Sequence, residues 1–549
     1  MKNFLQIHPK DNVLVALRSL SKGDLLHYGD GEVLLKEKVP QKHKTNIHDL
    51  DAAAPIIMYG VLVGRAKKFI PAGSQLTTEN VLHATAHYDT SQERCEWPAP
   101  NISTFHHRQF QGYYRSDGRV GTRNYWLVIP LVFCENRNLE VIREALVHKL
   151  GYTSRASDRF PIDALLRAAR EGQSTTTLLA TDIVSDTDLE VRERFFPNVD
   201  GIQFLPHDGG CGGIRQDAEV LCRLLAAYIT HPNVGGATVL SLGCQNAQIE
   251  MLQTAIAELD PAFSKPLYLL NQQDSTSEAD FLQTAIKQTF VGCVQINKLE
   301  RKAAPLSQLN LGLECGGSDG FSGISANPML GQVSDYLVAL GGTAILSEFP
   351  ELNGVEQELI NRCVDKTTAE KFQHLMQEYQ NAARAVGSDF SFNPSPGNIR
   401  DGLITDAMKS AGAAKKGGTS PVVAVLDYTE PANQPGLHLL CTPGNDVEST
   451  TGLAGSGANL IAFTTGLGTP TGNPISPTIK IASNSQLAAK MEDLIDFDAG
   501  QIISGSQTIE EAAQALLDLL IQTANGTYLT KAERLGQNDF IPWKRGISL

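Results

Sequence analysis

At 549 residues and 42% hydrophobic content the chain can bury several cores, which corresponds to about two to four domains and excludes a disordered or fibrous protein. A formal net charge of −14 excludes nucleic acid as a partner, because binding a polyanion needs basic surface to displace counterions, but small anionic substrates stay open since a site needs only a local positive cluster. The start MKNFLQIHPKDNV has no secretory pattern and no run approaches the ~18 apolar residues of a membrane span, so a cytoplasmic protein with no membrane partner is expected; nine scattered cysteines suit reduced thiols, some of them potential ligands.

Along residues 1–90, the apolar stretches Val13–Leu17, Val33–Leu35 and Ile56–Val63 alternate with turn signals at Lys22-Gly23, Gly29-Asp30-Gly31 and Pro71-Ala72-Gly73, which predicts a small, mostly β module. The polar, Pro-containing TSQERCEWPAPNIS reads as a linker over 91–107. A second region, 108–300, opens with the apolar run Tyr125–Phe133, a buried strand, followed by Leu139, Ile142, Leu146 and Leu150 at helical spacing. Strand and helix alternate again through GIQFLP, DAEVLCRLLAAYI and ATVLSLGC, so a parallel α/β sheet is expected. Residues 152–196, rich in Ser, Thr and Asp with weak periodicity, read as an insertion. The third region, 301–549, has strand-like runs at Leu309–Leu313, Thr343–Leu346, Val422–Leu426, Leu437–Leu440, Leu460–Phe463 and Ile479–Ala482, nearly all running into Gly, Ser, Thr, Asn or Pro. It closes with a helix in which Thr508 and Glu511 form a capping-box pattern and Gly526 supplies the stop. The fold class is therefore α/β: a small β-rich module followed by two α/β units with mainly parallel sheets.

In open α/β sheets, ligands bind beyond the carboxyl ends of the strands. Cys211 in HDGGCGG, Cys244 in SLGCQN, Cys315 in LECGGSDG and Cys134 at the end of LVIPLVFC all take such positions beside or near glycine. Two readings stand side by side: cysteine as a small core residue, or thiolates around a soft metal. No CxxC pair is present, so a structural zinc knuckle is not expected. Cys222, on the apolar face of a helical stretch, reads as core. In QKHKTN, a lysine beside His43 could bind a carboxylate and favour a neutral imidazole base. Neither GLGTPTGNP nor GGCGGIRQD forms a dinucleotide fingerprint, and there is no phosphate-loop or nucleophile-elbow motif.

The ordered set IHPKDNV, KHK, YGVLVG, YYRSDGRVGTRN, HDGGCG, HPNVGG, LGCQN, LECGGSDGFSGISANPMLG, NPSPGN, TTGLGTPTGNP, TIKIASN and IDFDAG resembles the altronate/galactarate dehydratases from residue 5 to about 505. The resemblance implies an N-terminal SAF (β-clip) domain on a two-part catalytic body that removes water from a sugar acid to give a 2-keto-3-deoxy acid. Glu314 and NPML resemble the altronate branch, with galactarate, another aldonate or aldarate, or a noncatalytic sugar-acid binder as alternatives. It further implies Fe²⁺, Mn²⁺ or another divalent cation near His8, Cys211, Cys244 and Cys315, with an iron–sulfur cluster on the three thiols as the alternative. Acid–base or catalytic roles fall on His43, Lys44, His207, Asp319 and Lys480, and substrate contacts on Arg115, Arg123, Asn124, Asn327 and Thr465. Turn chemistry competes for Asp319 and Asn327, and a solvated strand end for Lys480. The partner is a small sugar acid, and a homo-oligomer is left open. Gln245 and Leu467 depart from the family pattern, which has an acid and a cation at these places, and the 152–196 insertion is longer.

Overall fold

The computed structural model describes residues 3–29, 31–91, 96–152, 159–184 and 193–548. In the N-terminal module the strand Val13–Ala16 pairs antiparallel with Phe4–Leu5 and Lys44–Asn46. Its alternating side chains enter two different cores, Val13 and Val15 on one face and Leu14 and Ala16 on the other, so all four residues are buried. The apolar run Ile56–Val63 is a hairpin rather than one strand. Tyr59 and Gly60 take φ of 59° and 80°, turning Pro55–Met58 back onto Val61–Ala66.

Four parallel strands form the second sheet in the order Gly201–Phe204, Tyr125–Pro130, Val234–Ser241, Leu267–Asn271. Leu127 and Ile129 pack with the helix Arg215–Thr230, where Cys222 is core as read, while Trp126 and Val128 pack against Asn136–Leu146 and Glu278–Ile296 on the opposite face. A small antiparallel sheet, Gln109–Tyr114 between Val120–Gly121 and Lys302–Pro305, ties the start of this unit to the start of the next.

The third sheet has seven parallel strands ordered Val422–Leu426, Gly436–Leu440, Thr343–Leu346, Asn310–Cys315, Leu460–Thr465, Thr478–Ala482, Phe497–Asp498. Every run expected here is a strand, and burial on both faces explains their nearly unbroken apolar character. The helix Ile509–Ala524 carries the Thr508–Glu511 capping box, with Gly526 at φ 73° beyond it. The described part of the insertion includes the short helices Asp163–Arg170 and Thr175–Ala180, with no buried residue in either; 153–158 and 185–192 lie outside the described residues, as does Cys95 of the linker. Among the described residues, no helix is long and apolar enough to cross a membrane.

Candidate functional site

The central strand Asn310–Cys315 ends in a pocket of charge. Beside it, the strand Thr343–Leu346 runs into Glu348, held at φ 69° and ψ 64°, a left-handed conformation that a non-glycine residue adopts only when its surroundings impose it. This turn aims Glu348 back across the sheet edge. Its Oε2 accepts from Cys315 N–H at 3.1 Å and from Lys416 Nζ at 2.7 Å. Glu351, one 3₁₀ turn later, accepts from Lys409 Nζ at 2.5 Å and from Cys315 Sγ at 3.0 Å. Glu314 Oε2 accepts from Ser347 Oγ and Ser449 Oγ at 2.9 and 2.6 Å. The second oxygens of Glu314 and Glu348 are buried without a partner.

Glu314, Glu348 and Asp446 each place an oxygen within 4.8 Å of the others. Burial, then repulsion from neighbouring acids, Glu348 on Glu314, Glu351 on Glu348, and both Glu348 and Glu351 on Asp446, raises all three carboxyls, Asp446 to about 7. Burial opposes the charge of Glu351 too, but Lys409 and Lys416 prevail and hold it low. Burial followed by repulsion from Glu348 and Glu351 keeps the Cys315 thiol protonated. Orphaned buried carboxylate oxygens are costly, and a proton or a divalent cation would satisfy them. The oxygen-only set Glu314, Glu348, Asp446 therefore fits such an ion. Next to it, a Cβ on Gly316 would fall 2.1 Å from Asp446 Oδ2, so only glycine lets the strand end lie under that carboxylate. Lys480 stands on Thr478–Ala482, one strand beyond Leu460–Thr465, its Nζ 5.6 Å from the Phe463 ring centroid and 3.0 Å from Gln537 Oε1, with burial lowering its pKa to about 8 against the pull of Asp496, Asp539 and Asp446.

Three residues after Gly316 the same loop meets the N-terminal module. Asp319 is fully buried: its Oδ1 accepts from the Phe321 and Ser322 amides and from Ser322 and Ser483 hydroxyls, and its Oδ2 pairs with Lys42 Nζ at 2.9 Å. Lys42 also pairs with Asp401 at 2.7 Å, His43 Nε2 lies 3.1 Å from Arg400 O, and Lys44 Nζ donates to Gly402 O at 2.7 Å.

Family models cover nearly all of the chain: the altronate/galactarate dehydratase SAF domain over 2–84, the D-galactarate dehydratase/altronate hydrolase second domain over 112–297, and the D-galactarate/altronate dehydratase C-terminal model over 306–548. The altronate dehydratase of Escherichia coli K12 is 34% identical over the full length of both chains, and that of Bacillus subtilis 168 is 32% identical over the full length of both. The chain belongs to the altronate/galactarate dehydratase family. Also similar is the L-threo-forming galactarate dehydratase of E. coli K12, 30% identical over 97% of this chain and 95% of that one.

Within this dehydratase fold several residues singled out from sequence stand elsewhere than expected. Cys315 is buried and groups with Glu348 and Glu351, whereas the exposed Cys211 and Cys244 follow strands of the second sheet; among the described residues the three thiols do not form one single-ion ligand set. His8 stays inside the N-terminal module, its ring against Gly60 and its Nδ1 accepting from Lys10 N–H. His207 is spent on both sides, accepting from Gly209 N–H and bonded to Pro130 O, so the buried ring braces a loop and has no nitrogen left for proton transfer. Arg115 donates to Pro232 O, Arg123 O and Asn124; Arg123 forks onto Glu533; Asn124 donates to Asn198 O and Ile296 O. These three are buried and their hydrogen bonds hold the second unit to its neighbours. Lys44 is fully buried, its Nζ donating to the main-chain oxygen of Gly402. Thr465 Oγ1 accepts three amides of the 467–469 turn, and Asn327 links Thr464 to Gly412 O. Glu348, Glu351, Asp446, Lys409, Lys416 and Lys42 went unrecognised in the sequence, where each is one charged residue among many. The available signal was the carboxylate of Glu314 beside Cys315 at a strand end.

Proposed function

We propose that the chain dehydrates a sugar acid in the cytoplasm, D-altronate before galactarate, to the 2-keto-3-deoxy acid, with a divalent cation, Fe²⁺ or Mn²⁺, on Glu314, Glu348 and Asp446. The observation that carries this reading is the convergence of those three carboxylates, two with orphaned oxygens, beside Lys480 at the central strand end of a dehydratase-family chain. Two altronate dehydratases matched over full length favour altronate. All eight described cysteines are free, which suits a reducing compartment.

The reaction must remove a barely acidic proton from carbon 2 and a poor leaving group from carbon 3. A bound cation supplies Lewis-acid stabilisation for the charge that the substrate carboxylate gains as carbon 2 loses its proton. Lys480, shifted toward neutrality by burial, has an amine available near pH 8 to take that proton. The ammonium so formed returns a proton to the departing hydroxyl, water leaves, and the enol tautomerises to the keto acid. Lys409 and Lys416 fix Glu351 and Glu348 in place, and both lysines favour the ionised form of Glu351, so the acidic face is preorganised.

The test is anaerobic assay of keto-acid release from altronate, galactarate and other aldonates with Fe²⁺, Mn²⁺ or Mg²⁺ added to chelated protein. Activity restored by a cation in the wild type and absent in Glu348→Gln supports the reading. Turnover indifferent to chelation, or binding without turnover across the panel, sinks it.

A further inference from the structure

The described chain has three exposed thiols, Cys134, Cys211 and Cys244, against five buried ones at 222, 293, 315, 363 and 441. Free cysteine is among the most buried residue types, and an exposed one is an oxidation liability. All three exposed thiols nevertheless lie on one edge of one sheet. Cys134 follows the strand Tyr125–Pro130, Cys211 follows Gly201–Phe204, and Cys244 follows Val234–Ser241, three strands adjacent in the parallel sheet.

Their loops are stitched together through the backbone. Phe133 N–H donates to Gly209 O at 3.1 Å, and the Asn246 and Ala247 amides donate to Gly210 O at 2.9 and 3.1 Å. Each cysteine is thus within two residues of a hydrogen bond to, or from, another cysteine's loop. Gly210, with φ 95°, is pressed so closely on the first loop that a Cβ would lie 2.0 Å from Leu131 O, and Gly243, with φ 106°, turns the third. The buried Gln245 locks that turn, accepting from Gly243 N–H at 2.7 Å and donating to Ser241 Oγ at 2.6 Å and Ala247 O at 3.1 Å. His207, whose nitrogens are both occupied, braces the Cys211 loop without being available as a ligand.

We propose that Cys134, Cys211 and Cys244 hold an iron–sulfur cluster of the four-iron, four-sulfide class, with three irons bound by thiolate and the fourth open to a non-protein ligand. A set of three soft thiolates selects such a cluster or zinc. Around one tetrahedral zinc, sulfurs at about 2.3 Å from the metal stand only ~3.8 Å apart. The three sulfurs are not among the groups whose ligand atoms draw within 4.8 Å of one another. A cluster seats each thiolate on a different iron and so asks for the wider spacing. The thiol-only set also differs in chemistry from the all-oxygen set Glu314, Glu348, Asp446, and the proposal stands whether or not that site performs the dehydration.

The full-length protein, purified anaerobically and reconstituted with Fe³⁺, sulfide and thiol, the thiol reducing half of the iron, provides the test. Binding of about four irons and about four acid-labile sulfides per chain, with broad visible absorbance, is expected. Cys134→Ser, Cys211→Ser and Cys244→Ser each lose most of the labile sulfide, while Cys315→Ser retains it. In parallel, iodoacetamide labelling of the wild type read by mass spectrometry reports the same thiols without any substitution: all three are protected after reconstitution and labelled again after oxidative stripping. Iron bound without labile sulfide, one zinc per chain, sulfide retained in the triple serine variant, or unchanged labelling of the three thiols would each overturn the assignment.

Discussion

Replacing Lys416 with methionine isolates the electrostatic logic of the acidic site. Lys416 and Glu348 are 1% and 0% exposed and 2.7 Å apart, and the carboxylate has Glu314, Glu351 and Asp446 for company. Burial disfavours the ammonium, yet the surrounding acids overcome this and raise its pKa well above the ordinary value. Without Lys416, Glu348 keeps one backbone donor from Cys315 and must either stay charged and unpaired or take up a proton. Losing one partner of a buried pair costs about 3–5 kcal/mol. For a unit of this size that is a fall in Tm of roughly 6–20 °C, at about 2–4 °C per kcal/mol. Lys416→Met/Glu348→Gln removes both charges and recovers most of the loss. Thermal and urea unfolding of the wild type, both single variants and the double variant form the cycle, with chelator present throughout so that no bound cation compensates Glu348. A loss below about 1 kcal/mol in Lys416→Met, or a double variant no more stable than that single one, refutes the reasoning.

Lys480→Met is expected to lower kcat by roughly 100- to 10,000-fold with the fold retained; in the wild type, kcat/KM should rise through about pH 8 as the amine loses its proton, and a flat profile contradicts the role of base. Burial lowers Lys44 from 10.5 to about 7, so between these values the unfolded chain binds a proton that the folded one does not, and stability climbs with pH across that window and levels off below it. At about 1.4 kcal/mol per pH unit the fall is worth about 5 kcal/mol, so Lys44→Met, offset by the lost bond to Gly402 O, should raise Tm at pH 7 and flatten the climb; differential scanning calorimetry from pH 6 to 10 decides. Arg123→Met leaves Glu533 without its bidentate partner and should lower Tm while KM of the surviving fold stays within about twofold, whereas a selective rise in KM would restore it as a substrate contact.

Much of the architecture is written locally. The Tyr125–Pro130 strand, the strands of the large sheet and the capped helix Ile509–Ala524 follow from apolar runs and end signals that act between near neighbours. The sequence motifs also carried the family, since a dozen short segments in one order need no folding to be read. Ile56–Val63 shows the boundary of that legibility: its hydrophobicity is continuous, and only the positive φ of Tyr59 and Gly60 divides it.

The amino-acid sequence by itself determined the α/β alternation, the membership of a dehydratase family and the concentration of chemistry at Gly-flanked strand ends. Which charges meet there was decided only by the tertiary structure. Lys416 reaches Glu348 across 68 residues and Ser449 reaches Glu314 across 135, while Cys315 belongs to a different sheet from the strands that lead to Cys211 and Cys244. The reason is physical: a carboxylate becomes functional through the water it loses and the partners it gains, and both are set by long-range packing rather than by its neighbours along the chain.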